Sequence, residues 1–399
     1  MQSRREFLQA ISAISTGGLL TPLISIAHAG KPSVSKEASS MVSTRPFGDS
    51  GTQVPILGLG GSLDLNRRIL QQAVKRGVTY WDTAASYAGG NSERRIGDYL
   101  GQHPEDRGKI FLVTKSHAWN LTAMKRDLDR SLERMKTKQV DLFLKHSVRH
   151  PNELDSDLKA WAEKVKSEGK IRLFGFSTHG NMEACMLEAS KLGWIDGIMM
   201  KYNYRLMTTD RMKRAVDACA EAGIGLTAMK TQGGGSLRTH TETEMKMAGR
   251  FLEKGFTDAQ AKLIAVWQNP LIASICSEMP NMTILMSNVA AATNITKLST
   301  QELKILHQYA EETVSDYCAG CADNCESAVD GKVPVSEIMR CLMYDRSYGD
   351  LHRARCLFRQ LPSHTRQRIP CTDYTQAERR CPQGMAIGRL MKEAVFTFS

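Results

Sequence analysis

Val140-Asp-Leu-Phe-Leu-Lys-His146 is followed by an amphipathic segment that continues to Ser167, and then by Ile171-Arg-Leu-Phe-Gly-Phe-Ser177. The two quoted runs are short and almost continuously apolar, which is typical of strands that are buried on both faces. A helix between two such strands predicts a right-handed crossover connection and therefore a parallel sheet.

The same alternation of strand and helix continues on both sides of this unit. The predicted strands are Pro55–Leu59, Thr79–Asp82, Ile110–Lys115, Val140–His146, Ile171–Ser177, Ile195–Met200, Ile224–Lys230 and Ile272–Cys276. Eight such units predict a closed (β/α)8 TIM barrel of the α/β class. A doubly wound open sheet is the alternative, but no G-x-G-x-x-G sequence follows the first strand to favour it.

The N-terminal residues have the pattern of a targeting segment. Arg4-Arg5 precedes a mildly apolar run, and Ala27-His28-Ala29 has the small residues of a cleavage site. This order is typical of a twin-arginine signal peptide and predicts a bacterial protein that is exported to the periplasm or another extracytoplasmic location.

Four segments follow from these patterns. We expect a signal peptide at 1–29, a Ser/Lys/Pro-rich linker at 30–43, the barrel at 44–300 and a small helical, cysteine-rich C-terminal domain at 301–399.

The composition excludes two classes of protein. The net charge is +11, but basic and acidic residues are interspersed and no basic stripe with aromatic residues occurs, so we predict no nucleic-acid partner. No stretch after residue 30 is apolar enough to span a bilayer, so we do not expect an integral membrane protein. Arginines of the C-terminal segment could dock an acidic redox partner protein.

Ionisable residues stand where three consecutive predicted strands end. Asp82, Lys115 and His146 occupy these positions, and Tyr87 lies on the loop that follows Asp82. Barrel enzymes carry their reacting groups at the C-terminal ends of the strands, so these four residues are predicted to meet at one mouth as a proton-transfer device.

The sequences Asp82-Thr-Ala-Ala-Ser-Tyr87, Val113-Thr-Lys115 and Asp141-Leu-Phe-Leu-Lys-His146 resemble the aldo/keto reductases over about residues 44 to 297. The resemblance implies that Tyr87 is the general acid that protonates the oxygen of a small carbonyl substrate. It also implies that Lys115, paired with Asp82, lowers the pKa of this phenol from about 10. His146 would orient the carbonyl through a hydrogen bond.

By the same resemblance, a nicotinamide would be held by groups after the fifth to eighth strands, namely Ser177, Asn203, Lys230 and Asn288. Relatives that prefer NADP place a Lys ten residues and an Arg four residues before the last Asn. Glu278 and Ile284 occupy these positions here, which argues against NADP. NAD(P) therefore stays a weakly supported candidate cofactor.

Seven of the ten cysteines lie in the C-terminal segment. Cys318-Ala-Gly-Cys321-Ala-Asp-Asn-Cys325 brings three thiols together, and Cys381-Pro382 has the form that often supplies a distant ligand to a [4Fe-4S] cluster. Similar tails occur on some bacterial relatives of the aldo/keto reductases. Cys318, Cys321, Cys325 and Cys381 are the predicted ligands, and a zinc site or disulfides are the alternatives.

The other cysteines are expected to be structural. Burial as small apolar side chains is the predicted role of six residues: Cys185, Cys219, Cys276, Cys341, Cys356 and Cys371. For Cys341, Cys356 and Cys371, a role as a substitute metal ligand is the alternative.

Two functions fit these observations. The first is an aldo/keto reductase-type oxidoreductase whose C-terminal cluster exchanges electrons with a redox partner. The second is a non-catalytic binding or scaffold barrel with a metal-bound or disulfide-linked tail.

Overall fold

The computed structural model describes residues 41–62, 65–234, 241–294 and 296–399. The predicted signal peptide, at residues 1–29, and most of the predicted linker lie outside the described residues. Among the helices of the described segments, none is long and apolar enough to cross a membrane.

Eight parallel strands form a closed barrel, as the alternation of patterns predicted. The strands are β3 (Leu57–Gly60), β4 (Tyr80–Asp82), β5 (Phe111–Ser116), β6 (Val140–Lys145), β7 (Ile171–Thr178), β8 (Gly197–Lys201), β9 (Gly225–Met229) and β10 (Ile272–Glu278). Closure occurs where β10 pairs in parallel with both β3 and β9. Since almost every residue of these strands is buried, their apolar runs were visible in the sequence.

Helices surround the barrel and connect its strands. They are α1 (Arg67–Lys75), α2 (Asn91–Gln102), α3 (Leu121–Arg134), α4 (Ser156–Ser167), α5 (Met182–Leu192), α6 (Asp210–Glu221), α7 (Glu242–Glu253), α8 (Asp258–Trp267), α9 (Met282–Thr293) and α10 (Thr300–Glu312). Several begin at polar residues whose side chains accept a hydrogen bond from the first turn. Asn120, Asp155 and Thr257 cap α3, α4 and α8 in this way.

A short antiparallel hairpin, which the sequence patterns did not predict, precedes the barrel. It consists of β1 (Thr44–Pro46) and β2 (Gln53–Pro55), so Pro55 ends this hairpin instead of beginning the first barrel strand. Phe47 in its loop is fully buried against Gly197 and Gly225, the first residues of β8 and β9. The hairpin therefore covers the end of the barrel that is opposite to the predicted catalytic mouth.

The C-terminal segment forms a helical region with a core of its own. Its helices are α11 (Ala322–Glu326), α12 (Val335–Tyr348), α13 (Leu351–Arg359), α14 (Ser363–Arg368), α15 (Thr375–Arg379) and α16 (Ile387–Phe398). Apolar residues such as Ile338, Phe358 and Phe398 pack together in this core. Tyr309 of α10 belongs instead to the core of the barrel.

Candidate active site and cysteine cavity

Three neighbouring barrel strands bring three of the predicted catalytic residues to one mouth. Asp82 is the last residue of β4, Lys115 lies near the end of β5, and His146 directly follows β6. The parallel pairing of β4 with β5 and of β5 with β6 places these strand ends side by side.

Lys115 is the centre of the polar contacts at this mouth. Its ammonium Nζ lies 2.6 Å from Asp82 Oδ1 and donates to the Thr83 carbonyl at 2.8 Å and to the Tyr87 hydroxyl at 3.4 Å. Both members of the ion pair are buried, Lys115 being 1% and Asp82 3% exposed. Burial acts to lower the pKa of Lys115, but interactions led by the Asp82 carboxylate outweigh it and the pKa is raised. Lys115 therefore stays charged at neutral pH.

Tyr87 projects from a short turn, Tyr87–Gly90, that follows β4. Burial raises the pKa of its phenol to about 12, although Lys115 acts to lower it. The resemblance implied a lowered pKa for Tyr87, but the pKa is raised, because the loss of solvent outweighs the effect of one nearby cation. At neutral pH Tyr87 is protonated and can donate its proton.

His146 lies on the other side of Tyr87, with the two ring centroids 5.6 Å apart. A second imidazole, His117, stacks on His146 with the two ring centroids 3.6 Å apart. Burial and the nearby His117 and Lys115 hold the pKa of His146 well below 6.5, so this ring is neutral at pH 7. Its Nδ1 is buried and has no hydrogen-bond partner among the described residues.

Two of the residues that were predicted to hold a nicotinamide form hydrogen bonds with neighbouring barrel residues. The Ser177 hydroxyl accepts a hydrogen bond from the Ser147 amide at 3.0 Å. The Asn288 side chain donates to the Ser277 hydroxyl at 3.1 Å. Ser177 lies near the end of β7 and Asn288 lies in α9, and both side chains are buried.

The other two predicted nicotinamide residues contact the C-terminal region. Asn203 donates to the Tyr317 hydroxyl at 2.9 Å, and Lys230 donates to the Tyr344 hydroxyl at 2.6 Å. The Lys230 ammonium also lies 4.3 Å from the centre of the Tyr344 ring. These phenols therefore occupy positions beside the groups that would bind a nicotinamide.

Glu278 stands where relatives that prefer NADP carry a Lys, and it pairs with the C-terminal region as well. Its carboxylate lies 2.9 Å from Arg353 of α13 and also accepts from Ser62. Burial would raise the pKa of Glu278, but Arg353 and Lys230 lower it below its usual value. Glu278 thus attaches α13 to the barrel mouth.

The four predicted cysteine ligands line one small cavity in the C-terminal region. They are Cys318, Cys321, Cys325 and Cys381. The rest of the lining is mostly apolar and includes Val335, Met339 and Met385. Cys318, Cys321 and Cys325 are close in the sequence, whereas Cys381 lies 56 residues after Cys325. The fold brings all four thiols to one cavity.

The spacing of these thiols bears on the alternatives of zinc and disulfides. The ten cysteines, all within the described residues, are free thiols. No three of the four cavity sulfur atoms lie within 4.8 Å of one another in this described region. The described thiols therefore do not form the compact set, with sulfur atoms about 3.8 Å apart, that bonds of about 2.3 Å to a tetrahedral zinc ion would give.

The expectation of burial fails for three of the other six cysteines. Cys356 and Cys371 are exposed, because they lie on the outer faces of the small C-terminal helices. Cys276 is only partly buried, and its thiol lies beside Asp82, where burial and this carboxylate raise the pKa of the thiol well above 9. Cys185, Cys219 and Cys341 are buried as expected.

The cysteine loop, residues 318–326, is attached directly to the mouth of the barrel. The Lys201 ammonium donates to the Cys318 carbonyl at 2.9 Å. The Asn181 side chain both donates to and accepts from Asp323, at 2.8 and 2.9 Å. Gly320, with a φ of +89°, approaches the barrel so closely that a Cβ would lie 2.3 Å from the His179 carbonyl.

A sequence profile described as the aldo/keto reductase family matches residues 61–307. The match covers more than half of the chain, and the closed barrel it implies is the one described above. The chain belongs to the aldo/keto reductase family. It is an oxidoreductase enzyme, and residues 308–399 lie outside the family match.

Relatives of this aldo/keto reductase include proteins with named activities. The chain is 26% identical over 305 residues to the uncharacterized oxidoreductase YqkF of Bacillus subtilis, covering 68% of this chain and 97% of that protein. It is 26% identical over 280 residues to a D-threo-aldose 1-dehydrogenase of a Pseudomonas species, covering 57% and 82%.

Among solved structures, an aldo/keto reductase from Klebsiella pneumoniae in complex with NADP and acetate is similar to this chain. The two are 25% identical with a TM-score of 0.56, and the match covers 67% of this chain and 95% of the other.

The sequence patterns did not indicate four groups that border the mouth of this aldo/keto reductase. They are His117, His179, Tyr344 and Arg353. His117 and His179 follow strands β5 and β7 directly, so their position at strand ends was a usable signal. Tyr344 and Arg353 lie on α12 and α13, and nothing local in the sequence indicates that these helices cover the barrel.

Proposed function

We propose that this aldo/keto reductase interconverts a small carbonyl compound and its alcohol, and that its C-terminal region carries a [4Fe-4S] cluster. The observation that carries the catalytic part is the position of the Lys115 ammonium, which contacts both Asp82 and the hydroxyl of Tyr87. A positioned phenol beside a fixed cation, facing a neutral imidazole, is suited to proton transfer with a carbonyl oxygen.

In the direction of reduction, the electron carrier would supply a hydride equivalent, two electrons and one proton, to the carbonyl carbon, and Tyr87 donates its proton to the carbonyl oxygen. Lys115 stabilises the phenolate that this leaves, and Asp82 keeps the ammonium charged and oriented. His146, as a neutral imidazole, positions the carbonyl by a hydrogen bond and stabilises negative charge on its oxygen. In oxidation the same groups act in reverse, with the Tyr87 phenolate accepting the proton of the alcohol.

The donor set of the cysteine cavity fits an iron-sulfur cluster. Four thiols surround a space with a mostly apolar lining, and four thiolates are the donor set that a [4Fe-4S] cluster takes. The proposed ligands are Cys318, Cys321, Cys325 and Cys381. When bound, such a cluster supplies or accepts one electron at a time.

We propose that a redox partner protein exchanges electrons with the C-terminal region. Exposed arginines surround this region and would attract an acidic partner surface: Arg355, Arg359, Arg368, Arg379 and Arg380. NAD(P) is retained as the other candidate electron carrier, since the Klebsiella pneumoniae relative is in complex with NADP. Glu278 and its pairing with Arg353 count against NADP in this chain.

We propose export by the twin-arginine route to an extracytoplasmic location. Arg4-Arg5 and Ala27-His28-Ala29 support this proposal. This route carries folded proteins, so a cluster assembled in the cytoplasm could be exported with the chain.

Turnover of a panel of small aldehydes and ketones under anaerobic conditions tests the catalytic proposal. NADH, NADPH and reduced methyl viologen, a one-electron donor, are supplied in parallel. We expect turnover with the viologen. In Tyr87→Phe we expect the rate to fall at least about 100-fold, because the proton donor is removed.

Tyr99→Phe is the matched control, since Tyr99 is a buried phenol that bonds Asp106 away from the mouth. Thermal unfolding of both variants verifies the fold. Equal rates in wild type and Tyr87→Phe would refute the catalytic role. Turnover with NADPH alone would keep the catalytic site and refute the proposed route of electrons.

A further inference from the structure

The turn that carries Tyr87 has an unusual backbone. Three residues follow Tyr87 directly with φ angles of +48°, +62° and +87°, namely Ala88, Gly89 and Gly90. All three lie in the left-handed region, which a residue with a side chain, such as Ala88, rarely adopts. A strained turn of this kind keeps one conformation only where the surrounding structure fixes it. Contacts that fix this turn therefore also fix the position of the Tyr87 hydroxyl.

Arg134, the last residue of α3, contacts the turn at both ends. Its guanidinium Nη1 donates to the carbonyl of Ala85, which precedes Tyr87 by two residues, at 3.0 Å. The same nitrogen lies against Gly90, where a Cβ would lie only 2.4 Å from it. The guanidinium thus occupies the space that a side chain at position 90 would need. One planar cation therefore bridges the two ends of the turn.

Glu93, in the first turn of α2, holds this guanidinium in place. Its Oε2 lies 3.0 Å from Arg134 Nη1, and the side chain of Glu93 is completely buried. The other carboxylate oxygen, Oε1, accepts a hydrogen bond from the Thr114 hydroxyl at 2.7 Å. Thr114 immediately precedes Lys115 on β5. The carboxylate therefore joins the turn of Tyr87 to the strand that carries Lys115.

The backbone makes the same connection. The Ala85 amide donates to the Lys115 carbonyl at 3.0 Å, while the Ala85 carbonyl accepts from Arg134. The two peptide groups that flank Ala85 are thus bonded on one side to the strand of Lys115 and on the other side to the Arg134 guanidinium.

The distance between Lys115 and Tyr87 makes the position of the turn chemically important. Lys115 Nζ lies 3.4 Å from the Tyr87 hydroxyl, which is near the upper limit for a hydrogen bond. A small outward shift of the turn would break this contact. Since a reacting group that is misplaced by about 1 Å can cost about 100-fold in rate, the residues that hold the turn affect the reaction.

Attachment of α2 to α3 is the other role that this ion pair can have. The two helices already pack tightly without the guanidinium, because a Cβ on Gly97 of α2 would lie 2.0 Å from the Arg134 carbonyl. The bond to the Ala85 carbonyl and the contact with Gly90 are instead made to the turn. The contacts of this side chain therefore favour a role in holding the turn.

We infer that Arg134 and Glu93 are positioning residues for Tyr87, which hold its phenol within reach of Lys115 and of a bound carbonyl group. Arg134 acts through the turn, and Glu93 acts through Arg134 and Thr114. The inference rests on the proposed catalytic role of Tyr87, and it adds two residues to the four that the sequence predicted.

Arg134→Met tests the inference, because it removes the guanidinium and keeps an apolar stem. We expect kcat per folded molecule to fall at least about 10-fold, with KM within about twofold of the wild-type value, since proton donation by Tyr87 acts in the transition state. These constants come from the anaerobic carbonyl assay.

A second readout needs no turnover. Protein labelled with carbon-13 at the tyrosine ζ-carbons gives an NMR signal for Tyr87, which is assigned by its absence in Tyr87→Phe. In Arg134→Met we expect this signal to shift and broaden, because the strained turn no longer keeps one conformation.

Arg107→Met is the matched control. Arg107 also pairs with a buried carboxylate, that of Asp141 at 3.0 Å, and it also donates to backbone carbonyls, those of Ile110 and Gln139. These two residues precede β5 and β6, so this ion pair lies at the opposite end of the barrel from Tyr87. Its loss should lower the thermal unfolding temperature but leave kcat and the Tyr87 signal unchanged.

Arg134→Lys serves as a second variant if Arg134→Met fails to fold. A lysine keeps the positive charge beside Glu93, but it is shorter and lacks the planar fork that reaches the turn. We expect a smaller fall in kcat than in Arg134→Met, and the Tyr87 signal should still shift.

An unchanged kcat and an unchanged Tyr87 signal in the folded Arg134 variants would overturn the inference, because the ion pair would then serve stability alone. Equal changes in Arg107→Met would overturn it as well, since any loss of stability would then move Tyr87. If the wild type converts none of the carbonyl compounds, the proposed function fails. The Tyr87 signal then still decides whether Arg134 positions the phenol.

Discussion

Asp82 and Lys115 form a buried ion pair on which the geometry of the mouth depends. Asp82→Asn would leave the Lys115 ammonium buried without its counter-charge. We expect this variant to lose about 3–5 kcal/mol of unfolding free energy, because breaking one partner of a buried pair strands the other charge. Denaturant unfolding measures the loss.

Asp98→Asn is the control for this prediction. Asp98 pairs with Lys136 at 3.0 Å, but both side chains are more than half exposed. Its loss should cost no more than about 1 kcal/mol. Equal losses in the two variants would show that the Asp82 pair is not a buried interaction.

The titration of Tyr87 and His146 predicts the pH dependence of reduction. Tyr87 is the active acid while protonated, so the rate falls only as the pH approaches its pKa of about 12. His146 is neutral above a pKa that burial holds well below 6.5. We therefore expect a flat rate between about pH 7 and pH 9 under substrate saturation. A decline with a midpoint near 6.5 would contradict the neutral His146.

At the scale of elements, the cysteine loop depends on one glycine for its contact with the barrel. Gly320→Ala would place a Cβ 2.3 Å from the His179 carbonyl and strain a backbone with a φ of +89°. We expect a loss of stability greater than the roughly 1–2 kcal/mol of left-handed backbone strain alone, together with faster amide hydrogen exchange over residues 318–326.

Gly331→Ala separates strain from contact, because Gly331 has a φ of +65° but no atom within 4 Å of a Cβ. This variant should lose only the free energy of unfolding that the backbone strain costs. Amide hydrogen exchange in the cysteine loop should stay unchanged. If both variants behave alike, the close approach of the loop to the barrel is not required.

The Arg353 and Glu278 pair attaches α13 to the barrel mouth. A double-mutant cycle with Arg353→Met and Glu278→Gln should give a coupling of about 1 kcal/mol, since both side chains are partly exposed. Hydrogen exchange of residues 351–359 should rise in both single variants. A coupling of zero would contradict a role for this pair in docking α13.

The sequence predicted the barrel strands because both of their faces are buried and their apolar runs are continuous, as in Ile171–Thr178. It did not predict the hairpin of Thr44–Pro46 and Gln53–Pro55, because strands of three residues have too little alternation to detect. Asp82, Lys115 and His146 were visible because they lie at or directly after the ends of strands. The positions of Tyr344 and Arg353 depend on packing between distant parts of the chain, which leaves no periodic signal.

At the scale of the whole molecule, the C-terminal region covers part of the mouth of an aldo/keto reductase barrel. Tyr317, Tyr344 and Arg353 contact Asn203, Lys230 and Glu278. This region has an apolar core of its own, and a bound cluster would add cross-links between its loops. In our account, this region both shapes the mouth and carries electrons to it.

We propose that four cysteines of this region, Cys318, Cys321, Cys325 and Cys381, hold a [4Fe-4S] cluster. Iron, acid-labile sulfide and zinc analysis with EPR spectroscopy of the anaerobically purified full chain tests it most directly. We predict about four irons per chain and an EPR signal on reduction. Cys325→Ser should lose both, whereas Cys371→Ser, which replaces an exposed cysteine outside the cavity, should retain them. An iron-free protein with one zinc per chain, or equal iron in the two variants, would contradict the claim.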